Sequence, residues 1–147
     1  MITINCLTRE YADAVIGMMR IFYASPAVST NGSEEIFRRD VEQCLIESPY
    51  LEGYVFVDSD AGGRTAGYAM VAKSFSTEFG RQCIWIEDLY LDPEYRGTGI
   101  GTQFLSFINE KYADSILRLE VEAENKHAVH VYRKSGFEVL PYMEMKK

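Results

Sequence analysis

Positive charge is in short supply in this chain. It carries 15 Lys and Arg against 22 Asp and Glu, a formal net charge of −7, which argues against a nucleic-acid partner, because phosphate-backbone binding relies on clustered cations. A small cationic molecule suits it better. Cysteine is scarce too. Cys6, Cys44 and Cys83 are widely spaced with no CxxC pair, so reduced, buried thiols are expected. Long apolar runs are missing: no segment approaches about 18 apolar residues. The opening "MITINCLTRE" also lacks the basic region and apolar stretch of a leader. A soluble, reducing, cytoplasmic setting with no membrane partner is the expectation. Internal repeats, low-complexity tracts and linkers are absent as well. The 147 residues therefore read as one domain, 1–147, able to bury roughly two-thirds of its unfolded surface.

What is present is material for packing: 47% hydrophobic and 13% aromatic residues, too much for a disordered chain. "MITINCL" alternates as a half-buried strand does. In "TREYADAVIGMMRIFYAS", Ala14, Val15, Met18, Met19, Phe22 and Tyr23 recur at helical spacing, with Thr8 as a candidate N-cap and Pro26 closing the element. Ser33 followed by Glu34 and Glu35 opens a second helix, with Ile36, Val41, Leu45 and Ile46 as its apolar positions. "YVFVDSDAGGRTAGYAMVAKSF" reads as a hairpin turning at 60–63, and "CIWIEDLYL" as the next strand. "GIGTQFLSFINEKY" gathers Ile100, Phe104, Leu105, Phe107 and Ile108 on one helical face. "ILRLEVEA" alternates again, "NKHAVHVYRKSG" is a short helix stopped by Gly136, and "FEVLPYMEMKK" is expected to return as a last strand or two short ones. The order predicts an α/β (α+β) layer fold: a mixed, mostly antiparallel sheet of six to seven strands flanked by about four helices.

The segment "DPEYRGTGIGTQFL" places Gly97, Gly99 and Gly101 where a strand gives way to a helix. A bare backbone there exposes unpaired N–H groups at the positive end of the helix dipole, a phosphate site in general terms, with Arg96 adding a charged donor. A Walker loop requires a Lys that is absent here. A dinucleotide turn requires GxGxxG directly after a strand, whereas this spacing is GxGxG with Asp92 to Tyr95 intervening. A packing role alone would leave unexplained why two helix-weakening glycines stand at or inside the first turn.

"RGTGIG" resembles the Arg/Gln-x-x-Gly-x-Gly/Ala motif of the GNAT superfamily of acetyl-CoA-dependent N-acetyltransferases. "IEDLYLDPEYRG" upstream and "EAENKHAVHVYRKSGFE" downstream are similar to that family's pattern at matching separations. From about Phe75 to Gly101 the chain is similar to the diamine and thialysine N-acetyltransferase branch, with "IED" where that branch has "LED". The first helices are less alike, and in the family they wall the acceptor. The resemblance implies acetyl-CoA as the donor, its pyrophosphate on the backbone of Arg96, Gly97, Thr98, Gly99, Ile100, Gly101 and Thr102. Its pantetheine would run between the strand ending at Leu91 and one ending near Ala123, with Leu89, Tyr90 and Leu91 lining it and Asn125 helping to hold it.

Acyl transfer from a thioester to an amine needs a proton acceptor for the ammonium, an oxyanion donor and a proton for the thiolate. The resemblance assigns these to Glu87, to the N–H of Leu89 if the strand bulges there, and to Tyr132. From the residues alone, Tyr132 could equally be a core tyrosine and Glu87 a paired sheet carboxylate. Strict alternation would let only one of Glu87 and Asp88 face the cleft, Glu87 in company with Trp85 and Leu89. His127 and His130 with Glu124 do not make up a metal site, and none is expected. Glu120, Glu122 and Glu124 would share a strand face, as a wet edge or as an amine-attracting rim. The acceptor class expected is a polyamine-like or diamine-like primary amine. An aminoglycoside or amino-acid amine, a peptide or protein N-terminus, and a non-catalytic acyl-CoA-binding module are the alternatives. Family habit implies a homodimer.

Overall fold

Alternating apolar residues form strands here wherever both faces of the alternation find cover, and the chain supplies helices for both. The computed structural model describes residues 1–147. Its elements run β1 (Ile2–Cys6), α1 (Ala12–Tyr23), α2 (Glu34–Leu45), β2 (Leu51–Asp58), β3 (Arg64–Ser76), β4 (Arg81–Leu91), α3 (Ile100–Lys111), β5 (Ile116–Leu119) and α4 (Lys126–Lys134). The sheet has the order β1-β2-β3-β4-β5. The first three pairings are antiparallel and β4–β5 is parallel, the crossover being made through α3. None of the helices is long and apolar enough to cross a membrane.

Two cores follow from the pleat. On one face Val15, Met18 and Met19 of α1 and Phe37 and Val41 of α2 pack on Val55, Val57, Tyr68, Met70 and Tyr90. On the other, Ile100, Phe104, Leu105 and Ile108 of α3 pack on Tyr54, Phe56, Val71, Ile84 and Ile86. Local signals set the helix ends. The Ser33 hydroxyl accepts the Ile36 N–H at 3.3 Å and starts α2, whereas Thr8 caps only a short turn at Arg9–Tyr11 without a side-chain bond. Gly67 lies in the middle of the sheet because a Cβ there would stand 2.3 Å from the Tyr90 carbonyl oxygen.

Three expectations need correction. The sheet has five strands rather than six or seven, because residues 137–147 form no helix or strand. Pro141 in the middle of "FEVLPYMEMKK" removes a ladder donor and restricts Leu140. "ILRLEVEA" is a strand only as far as Leu119. Its ladder ends at the Ile86↔Leu119 pair, and one more rung would set Glu120 directly opposite Glu87, a like-charge pairing that destabilises a ladder. The thiols also differ among themselves: Cys83 is buried, Cys44 is half-buried and Cys6 is exposed. Burial, with the Asp40 charge nearby, pushes the Cys44 thiol up to about 12.

Candidate active site

The early end of β5 opens the sheet. Past Ile86, β4 runs on to Leu91 with β3 as its only partner, so its other edge lies free beside the residues that lead to α4. The strand does bulge, at Glu87 rather than at Leu89, which stays paired with Ala69. Met70 pairs with Asp88 and Val71 with Ile86, leaving Glu87 as the extra residue.

The bulge changes which way the carboxylates point. Ile84 and Ile86 belong to the α3-side core, and Leu89 and Leu91 pack against the same core. Counting the alternation from either end therefore sends both Glu87 and Asp88 to the α1/α2 side. The expectation that only one could face that way, with Trp85 and Leu89 together, is corrected: Trp85 and Leu89 lie on opposite faces. Trp85 instead carries the Arg118 guanidinium over its ring at 4.6 Å.

Asp88 is 3% exposed. Its two carboxylate oxygens accept the hydroxyls of Tyr23 and Tyr68, each at 2.7 Å. Burial pushes its carboxyl up, and the two phenol donors work against that rise. Glu87 keeps an exposed side. Partial burial, the Asp88 charge and then Glu144 push its carboxyl above the ordinary range. Half-buried Asp40 of α2 has its carboxyl raised to about 6 by burial and then by Asp88 and Glu87. Three carboxylates from two elements therefore converge without a basic partner. Asp40, Tyr23 and Tyr68 were not singled out from the sequence. The available signal was the adjacent acidic pair in an apolar strand, which a plain alternation cannot accommodate.

At the start of α3 the backbone is open. Gly97 and Gly99 take φ of 75° and 89°, a left-handed conformation that favours glycine. Gly101 does not need it, yet a Cβ there, as at the other two, would meet nothing within 4 Å. Neither packing nor backbone strain thus demands Gly101. The first bond of α3 joins the Gln103 N–H to the Gly99 carbonyl at 2.9 Å, which leaves the amides of Ile100, Gly101 and Thr102 outside the helix's own ladder. No side chain caps this end. Arg96 donates Nε to the Leu91 carbonyl at 3.0 Å and lies over the Tyr90 ring, so the guanidinium stands between the turn and the free edge of β4. An anion with several oxygens fits this donor set.

Tyr132 lies on α4, its ring packed against the α3-side core and edge-on to Phe137 at 5.9 Å. Its hydroxyl has no hydrogen-bond partner in the chain, and no side-chain polar atom is both sealed from solvent and unpaired. Burial of the ring raises the phenol and holds it protonated. Asn125 caps α4, its Oδ1 accepting the Ala128 N–H at 3.3 Å. Glu120, Glu122 and Glu124 lie beyond β5 rather than on it. Burial, Glu144 and Glu87 raise the Glu120 carboxyl to about 7.

Residues 19–137 match the model of the acetyltransferase (GNAT) family. The thialysine N-epsilon-acetyltransferase of Bos taurus is 40% identical over 120 residues, covering 76% of this chain and 68% of that protein. Its counterpart in Sus scrofa is 37% identical over 112 residues, covering 71% and 64%. The chain thus spans about two-thirds of the length of these relatives. A possible acetyltransferase from Clostridium difficile 630 is similar in fold, with a TM-score of 0.82 over 100% of this chain and 97% of that one, at 18% identity.

Proposed function

The chain belongs to the acetyltransferase (GNAT) family, on its thialysine N-acetyltransferase-like branch, and from that premise we propose that it moves an acetyl group from acetyl-CoA to the primary amine of a small cationic molecule of the diamine or lysine-analogue kind. The observation that carries the donor side is Gly101. A glycine that neither strain nor packing requires, beside unpaired amides, fits a backbone kept bare for an anion arriving from outside, such as the pyrophosphate of coenzyme A. Arg96 through Thr102 would hold it. The free edge of β4 at Leu89, Tyr90 and Leu91 would take the pantetheine amides, with Asn125 across the opening.

The chemistry follows from the groups on the two faces of β4. Glu87, with its raised proton affinity, takes the ammonium proton directly or through water. The freed amine attacks the thioester carbon, the C–N bond forms and the C–S bond breaks. Sulfur takes the Tyr132 phenol proton, and the surplus N–H proton restores the phenol through water. Leu89, two residues past the bulge, is the N–H donor to the oxyanion in this reading. The acidic surroundings of Glu87 favour a cationic acceptor, and the names of the bovine and porcine relatives support an amine at the end of an amino-acid side chain. A homodimer belongs to the same proposal. It is supported by the unpaired outer edge of β5 and by the exposed Val139, Met143 and Met145, and sedimentation velocity would test it.

The test has two arms. Acetyl-CoA is expected to raise the melting temperature while ATP and NAD do not, and no shift would remove the cofactor assignment. Free-thiol release is then followed with diamines, polyamines, thialysine, lysine, aminoglycosides and peptides. Turnover confined to peptides would move the acceptor to a protein N-terminus. A thermal shift without release from any amine would leave a non-catalytic acyl-CoA-binding module.

A further inference from the structure

The mechanism above uses Glu87 and leaves its neighbour unexplained. Asp88 is the most deeply buried carboxylate of the chain, and it has no Lys, Arg or His partner. Burying an unpaired charge is costly unless several donors satisfy it. Here two phenols do so, one on each oxygen. Tyr68 comes from β3, the strand that faces the bulge, and Tyr23 is the last residue of α1, immediately before the loop that leads to α2. The two rings are tied together through Phe22, which packs edge-on to both, with centroids 5.3 Å from Tyr23 and 6.4 Å from Tyr68. Tyr23 also packs on Phe37 of α2 at 5.4 Å. A single carboxylate thus joins the bulge, its facing strand and the junction of the first two helices.

Resting on the reading of Glu87 as the base, we infer that Asp88 is a positioning residue: gripped by Tyr23 and Tyr68, it fixes the bulge that projects Glu87 and keeps a second negative charge beside it. Without the tie, β4 could relax to a regular ladder, which would rotate Glu87 or Asp88 to the other face. The neighbouring charge makes Glu87 hold a proton more firmly. The groups that face Glu87 are Asp88 on its own strand, Asp40 on α2, Tyr23 on α1, Glu120 beyond β5 and Glu144 in the C-terminal segment. All are acidic or neutral, so Asp88 has no adjacent cation to cancel its effect.

While the bulge holds, the sign is definite. Removing the Asp88 charge lowers the Glu87 midpoint, and the acidic limb of the rate profile moves to lower pH. The experiment uses the full chain with 13C-labelled side-chain carboxyls, the Glu87 signal being assigned by its loss in Glu87→Gln. In Asp88→Asn the Glu87 midpoint is expected to fall towards the ordinary glutamate value, while acetyl-CoA still raises the melting temperature as in the parent. A lowered melting temperature with an unmoved Glu87 midpoint would make Asp88 merely structural and overturn the inference. Should Asp88→Asn fail to fold, Tyr23→Phe leaves the carboxylate with one donor. The Asp88 midpoint is then expected to rise and the Glu87 midpoint to move with it, and a Glu87 midpoint that stays in place while that of Asp88 moves would equally overturn the inference. Because these midpoints are read without turnover, a failure of the acetyl-transfer proposal in the amine screen remains distinguishable from a failure of this one.

Discussion

Tyr132 is a half-buried phenol whose ring is packed but whose hydroxyl is unclaimed, and that combination is uncommon for a residue kept only for its bulk. Tyr132→Phe keeps the ring contacts, so stability and acetyl-CoA affinity should hold. Turnover should fall by about a hundredfold, the range of a lost general acid, and steady-state kinetics with both substrates varied would check it. Glu87 makes a pH prediction. Its carboxyl is raised by burial and by Asp88, so the rate should climb with pH through a midpoint above the ordinary glutamate value. Glu87→Gln should lose that limb, and an unaltered limb would place the base elsewhere. These residues were legible to different degrees. Glu87, Tyr132 and the glycines stood out from the sequence by motif or by being charged in an apolar strand. The shared side of Glu87 and Asp88 did not, because a bulge inserts one residue without any change in composition. Tyr23, Tyr68 and Asp40 look like ordinary helix and strand positions until the sheet brings them to Asp88.

At the scale of elements, the turn into α3 sets helix stability against binding. Gly101 lies in the first helical turn with free space about it, so Gly101→Ala should stabilise the free protein by up to about 1 kcal/mol through helix propensity. The same methyl would occupy the approach to the amides of Ile100 and Thr102. The acetyl-CoA Michaelis constant should then rise about tenfold or more, the worth of one hydrogen bond to a charged group. Thermal melts of the free protein and acetyl-CoA titrations of the variant measure the two effects separately, and a stabilised variant with unchanged binding would return Gly101 to mere happenstance. Every helix and the first four strands could be read from periodicity, since each helix lays one apolar face on a core and the strands lie between the two cores. The last strand could not be read correctly. Its alternation is real, but Pro141 interrupts it and no ladder forms on the outer edge of β5, and alternation alone carries no information about pairing. β5 fails at Glu120 for a related reason: what lies opposite is decided by register, and register is not a local property.

Across the whole molecule, one carboxylate holds the end of the sheet remote from the α3 turn. Glu52 on β2 accepts the hydroxyls of Tyr54 and Tyr112 at 2.5 and 2.6 Å and pairs with Lys73 and Lys111 at 3.1 and 3.2 Å. The network ties β2 and β3 to the last turn of α3, so it closes the α3 layer onto the sheet. Burial alone would push the Glu52 carboxyl up. The Tyr112 and Tyr54 hydroxyls, the Lys73 ammonium and then Lys111 outweigh it and bring the carboxyl down to about 2. Because the folded value is depressed, the stabilisation is fully present above the ordinary glutamate value near 4.5 and is lost as pH falls from there towards 2. Glu52→Gln removes the ionised form at every pH. Urea unfolding should therefore show the variant clearly less stable than the parent at pH 7, with the gap closing steadily below pH 4.5 and nearly gone by about pH 2. A gap of constant size across that range would mean that Glu52 stabilises by packing and neutral hydrogen bonds alone. Since the network lies away from Glu87 and the glycine turn, acetyl-CoA binding by the folded variant at pH 7 should match the parent, which separates loss of the scaffold from loss of the site.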